Sequence, residues 1–429
     1  MPSAPLSRGD WFTAERIRRI GIIFAVMALV VLGVDAWLRA THGVTDADGQ
    51  QLGRDFINYW AGAHLAADGQ AARVYDIDGF LDYQRSQTAP NAHFKWYSYP
   101  PTALILSLPL AVLGFVPALV FWLLSGIVIC AILLARNLDW RMALLAAFAT
   151  PASLLNALSG QNGQFTAALL CGGILFLQRQ PWLAGLLFGM LCFKPHLAIL
   201  IPVALAAAGR WRAFAAAGLT ALAICGSAFL LGPNVWTAFL KNAPINAGLL
   251  EIGNSMWHRM PTMFSAARLM GGGISTAYGI QAVSAIIATL LIIMIWRSRA
   301  TIAVKGSALV IATFLVTPYA WDYDLVALTF VATWLATEAA RTGFHPWEKT
   351  ALGFMIAIPL ISLRLADASH VQIVPLTLWA VMGLIAHRAL KRGHQAQDDQ
   401  EREIEQDAAA AGGDFAQVHQ RGEAAARSG

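Results

Sequence analysis

Charge is scarce in this chain. Asp, Glu, Lys and Arg make up only 13% of its 429 residues, against 57% hydrophobic residues and a mean hydropathy of +0.55. A water-soluble domain carries about a quarter charged residues, so that class is excluded and a polytopic membrane protein is implied. The formal charge of +5 does not point to nucleic acid, because the basic residues stand in ones and twos at the ends of apolar runs. Topology anchors have that pattern. Cysteine is equally sparse. Cys130, Cys171, Cys192 and Cys225 lie in apolar stretches with no CxxC and no histidine at ligand spacing, which supports neither a disulfide framework nor a zinc site. They read as small core residues. No Gly-rich phosphate loop, Walker lysine motif or Ser-His-Asp signature occurs, so chemistry fed by a cytosolic nucleotide is disfavoured.

What the chain does have is apolar stretches near the length that spans a bilayer. They recur at Ile20 to Leu38, Val116 to Ala135, Met142 to Leu158, Gln164 to Gln178, Ala213 to Leu231, Ala277 to Trp296, Lys305 to Val316, Leu325 to Thr337, Leu352 to Leu363 and Ile373 to Ala386. A further stretch, Trp182 to Ala208, is broken by Lys194-Pro195-His196 into two short helices, and Thr102 to Leu113 adds an extra half-helix. The fold class is therefore all-α, with about twelve transmembrane helices, give or take two. The first run is too long for a signal-peptide core and reads as a retained helix.

If crossings alternate, Arg16, Arg18 and Arg19, Arg136 and Arg141, Arg179, Arg210 and Arg212, Arg297 and Arg299, Arg341 and Lys349, and Arg388, Lys391 and Arg392 share one side. The positive-inside rule makes that side, with both termini, cytoplasmic. Residues 1–19 form a cytoplasmic segment, 20–390 the multi-spanning domain, and 391–429 a polar tail read as disordered or loosely helical. The opposite side receives loops at about 39–100 and 232–276, the turns 156–163, 194–196 and 317–324, and 364–372. These carry short helices and nearly all the unusual polar and aromatic motifs, so the active face is the outer one.

The first outer loop opens on Arg54-Asp55-Phe56-Ile57-Asn58-Tyr59-Trp60 and closes on Trp96-Tyr97-Ser98-Tyr99-Pro100-Pro101. A carboxylate beside aromatics at a membrane face is expensive to keep and marks chemistry by default. Pairing with Arg54 is its structural alternative. The prolines make a rigid re-entry turn, and the aromatics would serve equally as an interfacial belt. Gly160-Gln161-Asn162-Gly163 offers two glycines for close backbone approach and two amides for a sugar or phosphate, although a plain polar turn would look the same. Lys194 sits at a helix break. Snorkelling is one reading, and a partner for an anionic lipid phosphate is the other. The second loop holds Asn254, His258 and Arg259. The turn Trp321-Asp322-Tyr323-Asp324 holds two acids that would bind a divalent cation or cap the next helix, capping being the safer reading of at least one.

Taken in order, Asp55 to Trp60, Tyr99-Pro100-Pro101, Gly160-Gln161, the segment Ala184-Gly185 to Lys194-Pro195, and Pro318 to Asp324 resemble glycosyltransferase family 87 over roughly residues 55 to 324. The resemblance implies a C-type, multi-spanning glycosyltransferase, mannosyltransferase-like, with a polyprenyl-phosphate sugar donor entering from the bilayer. It further implies a lipid or glycan acceptor reached from the outer face, a catalytic aspartate mapping onto Asp55, and the bacterial cytoplasmic (inner) membrane as its location. Other members carry an Asn-Gln-Ser run where this chain has Asn254-Ser255-Met256, and a histidine in the turn occupied here by Asp322-Tyr323-Asp324.

Both lines of reading fit direct displacement at the anomeric carbon, with Asp55 as general base and Lys194 and Arg259 stabilising the departing lipid phosphate. Arg54, Tyr59, Trp60, Tyr97, Tyr99, Gln161, Asn162, Asn254, His258, Trp321, Asp322 and Asp324 are the expected substrate contacts. No cofactor is implied, and nothing in the pattern indicates a divalent cation. A lipid or glycan transporter is the main rival class. Such proteins often show two related halves, and no internal repeat is visible here. A non-enzymatic assembly protein would have no need of Asp55 and Lys194 on one face.

Overall fold

Thr13, Asp139, Thr150, Thr262 and Thr301 each turn a side-chain oxygen onto a backbone amide of the helix that follows, satisfying donors that a helix start leaves free. Pro151, Pro181, Pro195 and Pro359 mark further starts, where a missing N–H costs nothing. These signals cut the apolar runs into helices. The computed structural model describes residues 4–390 apart from 42, 254 and 255, and within them the one strand-like pairing is an isolated bridge between Thr45 and Gln51. The tail 391–429 and the candidate Asn254 lie outside the described residues.

Four described helices are long and apolar enough to cross a bilayer: Ala14–Arg39, Phe115–Leu134, Trp211–Leu231 and Ile274–Arg297. The number rises to six if two bent pairs each make one crossing. The chain is thus an all-helical membrane protein. Twelve crossings are not confirmed, because Gly163–Phe176, Pro181–Phe193, Pro195–Ala207, Ile302–Val316 and Val374–Leu390 are apolar but shorter.

The bent pairs correct two expected straight spans. Met142 to Leu158 is divided into Trp140–Phe148 and Pro151–Ser159, bent by 57°. Leu352 to Leu363 is divided between Glu348–Ala357 and Pro359–Ser369, bent by 73°. In both, a proline ring displaces the carbonyl of the preceding turn and contributes no N–H. The second helix runs on to Ser369, so most of the loop expected at 364–372 is helical.

Packing inside a bilayer has no apolar-burial gain between helices to draw on, and close approach of small residues takes its place. Gly185 and Gly189, one turn apart, press against Ala213, Ala216 and Ala217. A Cβ on Gly185 would lie 2.4 Å from that of Ala216. Outward-facing apolar side chains such as Ile23, Leu29, Leu222 and Leu290 are exposed, as lipid contact requires.

The helices run back and forth, and the six segments assigned to one side by charge gather at one end. The Asp55 amide donates to the Ser159 carbonyl at 3.1 Å. The Trp96 indole donates to Asn246 Oδ1 at 2.6 Å, and the Gln372 amide to the His258 carbonyl at 2.9 Å. Lys194 and Arg259 both meet the 317–324 turn. At the other end Trp11, Trp140, Trp182, Trp211 and Trp347, all near helix starts, stand exposed, as an interfacial aromatic belt does.

Candidate active site

Gly53 and Arg54 both have positive φ, 63° and 42°, which turns the chain sharply and delivers Asp55 to the head of the helix Phe56–Ala67. For a non-glycine residue that backbone costs about 1–2 kcal/mol. Arg54 is held there by Asp35 of the first helix, with Nη2 3.2 Å from Oδ1. It therefore does not neutralise Asp55.

The Asp55 side chain does not cap its own helix. Its Oδ2 accepts from Gln161 Nε2 at 3.1 Å, while Oδ1 faces Lys95 Nζ at 3.5 Å. The side chain remains 27% exposed. Gln161 is oriented from its other end, where Oε1 lies 2.6 Å from the Tyr59 hydroxyl and 3.1 Å from that of Tyr99. Burial, foremost, pushes both phenols well above their ordinary pKa, so they are neutral partners. Tyr59 in turn stacks on Trp122 with ring centres 5.0 Å apart.

The turn carrying Gln161 comes this close because it is built from glycine. Gly160 is left-handed at φ 58°, and a Cβ on it would sit 2.3 Å from the Gly53 carbonyl oxygen. A Cβ on Gly163 would sit 2.0 Å from the Tyr323 carbonyl oxygen. The close approach expected of these glycines is the geometry found. Between them Asn162 is fully buried with neither side-chain polar atom hydrogen-bonded. Buried amides are nearly always paired, and this one is an exception.

Arg259 places a two-pronged grip on Asp322, with Nε and Nη2 each 2.9 Å from a carboxylate oxygen, and Nη2 also reaches Ser159 Oγ at 3.2 Å. Burial works against its charge, but the adjacent Asp322 outweighs that and raises its pKa above the ordinary value, with Asp55 acting in the same direction. Trp321 and Tyr323 lie parallel, 5.9 Å apart, with Arg259 over the first ring and Lys194 over the second.

Lys194 is 1% exposed, and its ammonium meets Asp324 Oδ1 at 2.7 Å. It does not snorkel, and its charge is met by a buried carboxylate. Asp324 Oδ2 accepts from the Trp321 amide at 3.3 Å, which is the capping role foreseen for one of the two acids. Trp60 is buried. Its indole donates to the Leu113 carbonyl at 2.9 Å and its ring packs on Phe115, on the packing side of the helix. Tyr97 is buried among Tyr75, Phe80 and Tyr99 with its hydroxyl unpartnered. His258 lies 3.6 Å from Asp367 and is not joined to Asp55.

Lys95 and Ser159 were not anticipated. Neither stands in a motif, and only the fold brings them from separate segments to Asp55 and Arg259. The assembled site holds three carboxylates at the membrane-helix ends. Two are closed by Arg259 and Lys194, and the third, Asp55, keeps an open face between cations. A carboxylate so placed can take a proton while nearby positive charge steadies an anion.

Comparison with curated proteins and with solved structures found no match. The family model described as glycosyltransferase family 87 matches residues 97–318, just over half of the chain, beginning downstream of Asp55 and including Tyr99, Gln161, Lys194 and Arg259. The chain belongs to glycosyltransferase family 87 and is a membrane glycosyltransferase.

Proposed function

We propose that the protein moves a hexose, with mannose the first candidate, from a polyprenyl-phosphate donor to a lipid or glycan acceptor at the outer face of a bacterial cytoplasmic membrane. In this reading both termini are cytoplasmic, and the shorter apolar helices complete about twelve crossings. Asp55 takes the proton from the acceptor hydroxyl as that oxygen attacks the anomeric carbon. The bond from that carbon to the phosphate oxygen breaks, and polyprenyl phosphate leaves with the electron pair. Lys95 and Arg259, rather than the buried Lys194, supply positive charge to the leaving phosphate. Gln161 holds Asp55 in place through the Tyr59–Tyr99 pair.

The observation that carries the reading is the openness of Asp55. Beside Asp322 and Asp324, whose side chains are 5% and 0% exposed, that of Asp55 is 27% exposed. The test is incubation of the purified protein in membranes with a panel of labelled polyprenyl-phosphate sugars. Release of polyprenyl phosphate from one of them, dependent on an added acceptor, supports the reading. Movement of an intact donor across the bilayer without release would instead mark a transporter.

A further inference from the structure

The opposite end of the bundle carries a second polar feature that the transfer reaction leaves unused. A cavity of about 270 Å³ opens there between the ends of Trp211–Leu231 and Ile274–Arg297 and the start of Ile302–Val316. Arg210, immediately before the first of these helices, Arg297 and Lys305 all line it, with Gln178 as a neutral donor and no carboxylate in the wall. Ile302–Val316 leads from this cavity at one end to the 317–324 turn of the active site at the other. At about 1.5 Å per residue the two places are roughly 20 Å apart.

Like charges on one cavity repel. Arg210 acts electrostatically on Lys305, and none of the three cations forms an ion pair among the described residues. Arg210 and Arg297 are exposed and Lys305 is half-buried, so their charges face an anion arriving from outside the bundle, whereas the buried cations Arg388 and Lys194 are closed by Glu348 and Asp324. The arrangement is also held in place. The buried Trp296 indole donates to the Lys305 carbonyl at 3.0 Å, tying the last turn of one helix to the first of the next and fixing Arg297 relative to Lys305. Next to Arg210, Trp211 is exposed at the start of an apolar helix long enough to cross a bilayer, and indoles at such helix ends meet lipid headgroups.

We propose that this cavity is a binding site for a phosphate group, supplied by the headgroup of an anionic membrane lipid. Basic pockets between transmembrane helices recognise such headgroups through charge, and bilayer lipid reaches this end of the spans without passing through the catalytic cleft. The site would anchor the end of the bundle on which the active-site helices stand. It does not depend on which lipid-linked sugar the enzyme uses.

Native mass spectrometry of the full-length protein tests the proposal, with phosphatidylglycerol, phosphatidylcholine and inorganic phosphate as separate probes. Each near-surface Lys or Arg is worth roughly fivefold in anionic-lipid affinity. Arg210→Gln/Lys305→Gln should therefore lower phosphatidylglycerol binding about twenty-five-fold, toward the phosphatidylcholine level, while Lys305→Arg retains it. Arg297→Gln alone should lower it about fivefold, which keeps the test decisive if the double variant is unstable. If inorganic phosphate binds in the wild type and is lost in the same variants, the phosphate site stands and its source is soluble. Equal phosphatidylglycerol binding by wild type and the charge-removing variants, or no preference over phosphatidylcholine with no phosphate binding, overturns the proposal.

Discussion

Removing one member of the Lys194–Asp324 pair should be far worse than removing both. The two side chains are 2% and 0% exposed, and their charged atoms are 2.7 Å apart. Lys194→Met leaves a buried carboxylate whose remaining contact is the Trp321 amide at 3.3 Å. Breaking a buried pair in this way costs about 3–5 kcal/mol, whereas replacing both partners with apolar groups is often neutral. Asp324→Leu also forfeits the bond to the Trp321 amide, worth about 1 kcal/mol. The expected series is a loss of about 3 kcal/mol or more for each single variant and about 1–2 kcal/mol for Lys194→Met/Asp324→Leu. Equilibrium unfolding in mixed micelles reads the stability of all four proteins, and donor titration reads their affinity. The double variant should bind donor within about threefold of wild type, a change of under 1 kcal/mol, because the buried pair does not touch the donor in this account. Additive single losses, or a stable double variant that no longer binds donor, would refute the reasoning and return Lys194 to the phosphate.

Three further outcomes follow from the same geometry. Gly160→Ala should destabilise by about 1–3 kcal/mol through overpacking against the Gly53 carbonyl, with transfer lost beyond what stability explains, checked by thermal shift beside turnover. Arg259→Lys keeps the charge but loses the fork on Asp322. Because the two residues are not equivalent at such a site, donor KM should rise about tenfold. Gln161→Leu removes the amide shared by Asp55, Tyr59 and Tyr99. Its kcat should fall about tenfold to a hundredfold with donor binding retained, because a misplaced base mainly costs orientation.

The sequence made the membrane character legible because hydropathy depends on composition within one segment. It also allowed the six site segments to be grouped, since Arg and Lys mark the other ends of the same helices. Asp55, Tyr99, Gln161 and Arg259 stood out for the same local reason, being polar groups where polarity is costly. Pairing was another matter. Arg54 is adjacent to Asp55 in the chain yet binds Asp35, while Lys95, forty residues on, takes the place beside Asp55. Lys194 found its partner 130 residues away. Such choices are made by helix packing, which no local pattern encodes. Pro151 and Pro359 were visible, but whether a proline ends, kinks or merely starts a helix depends on its neighbours in space.

The central claim is that Asp55 is the proton acceptor, and one measurement addresses it directly. Donor binding and hexose transfer are compared for wild type and Asp55→Asn in the same membranes, using whichever polyprenyl-phosphate sugar the wild type consumes. Loss of a general base is worth about 10²–10⁴ in rate, so transfer should fall by at least about a hundredfold while donor affinity stays near wild type. Turnover within a few-fold of wild type by a folded Asp55→Asn protein would contradict the account.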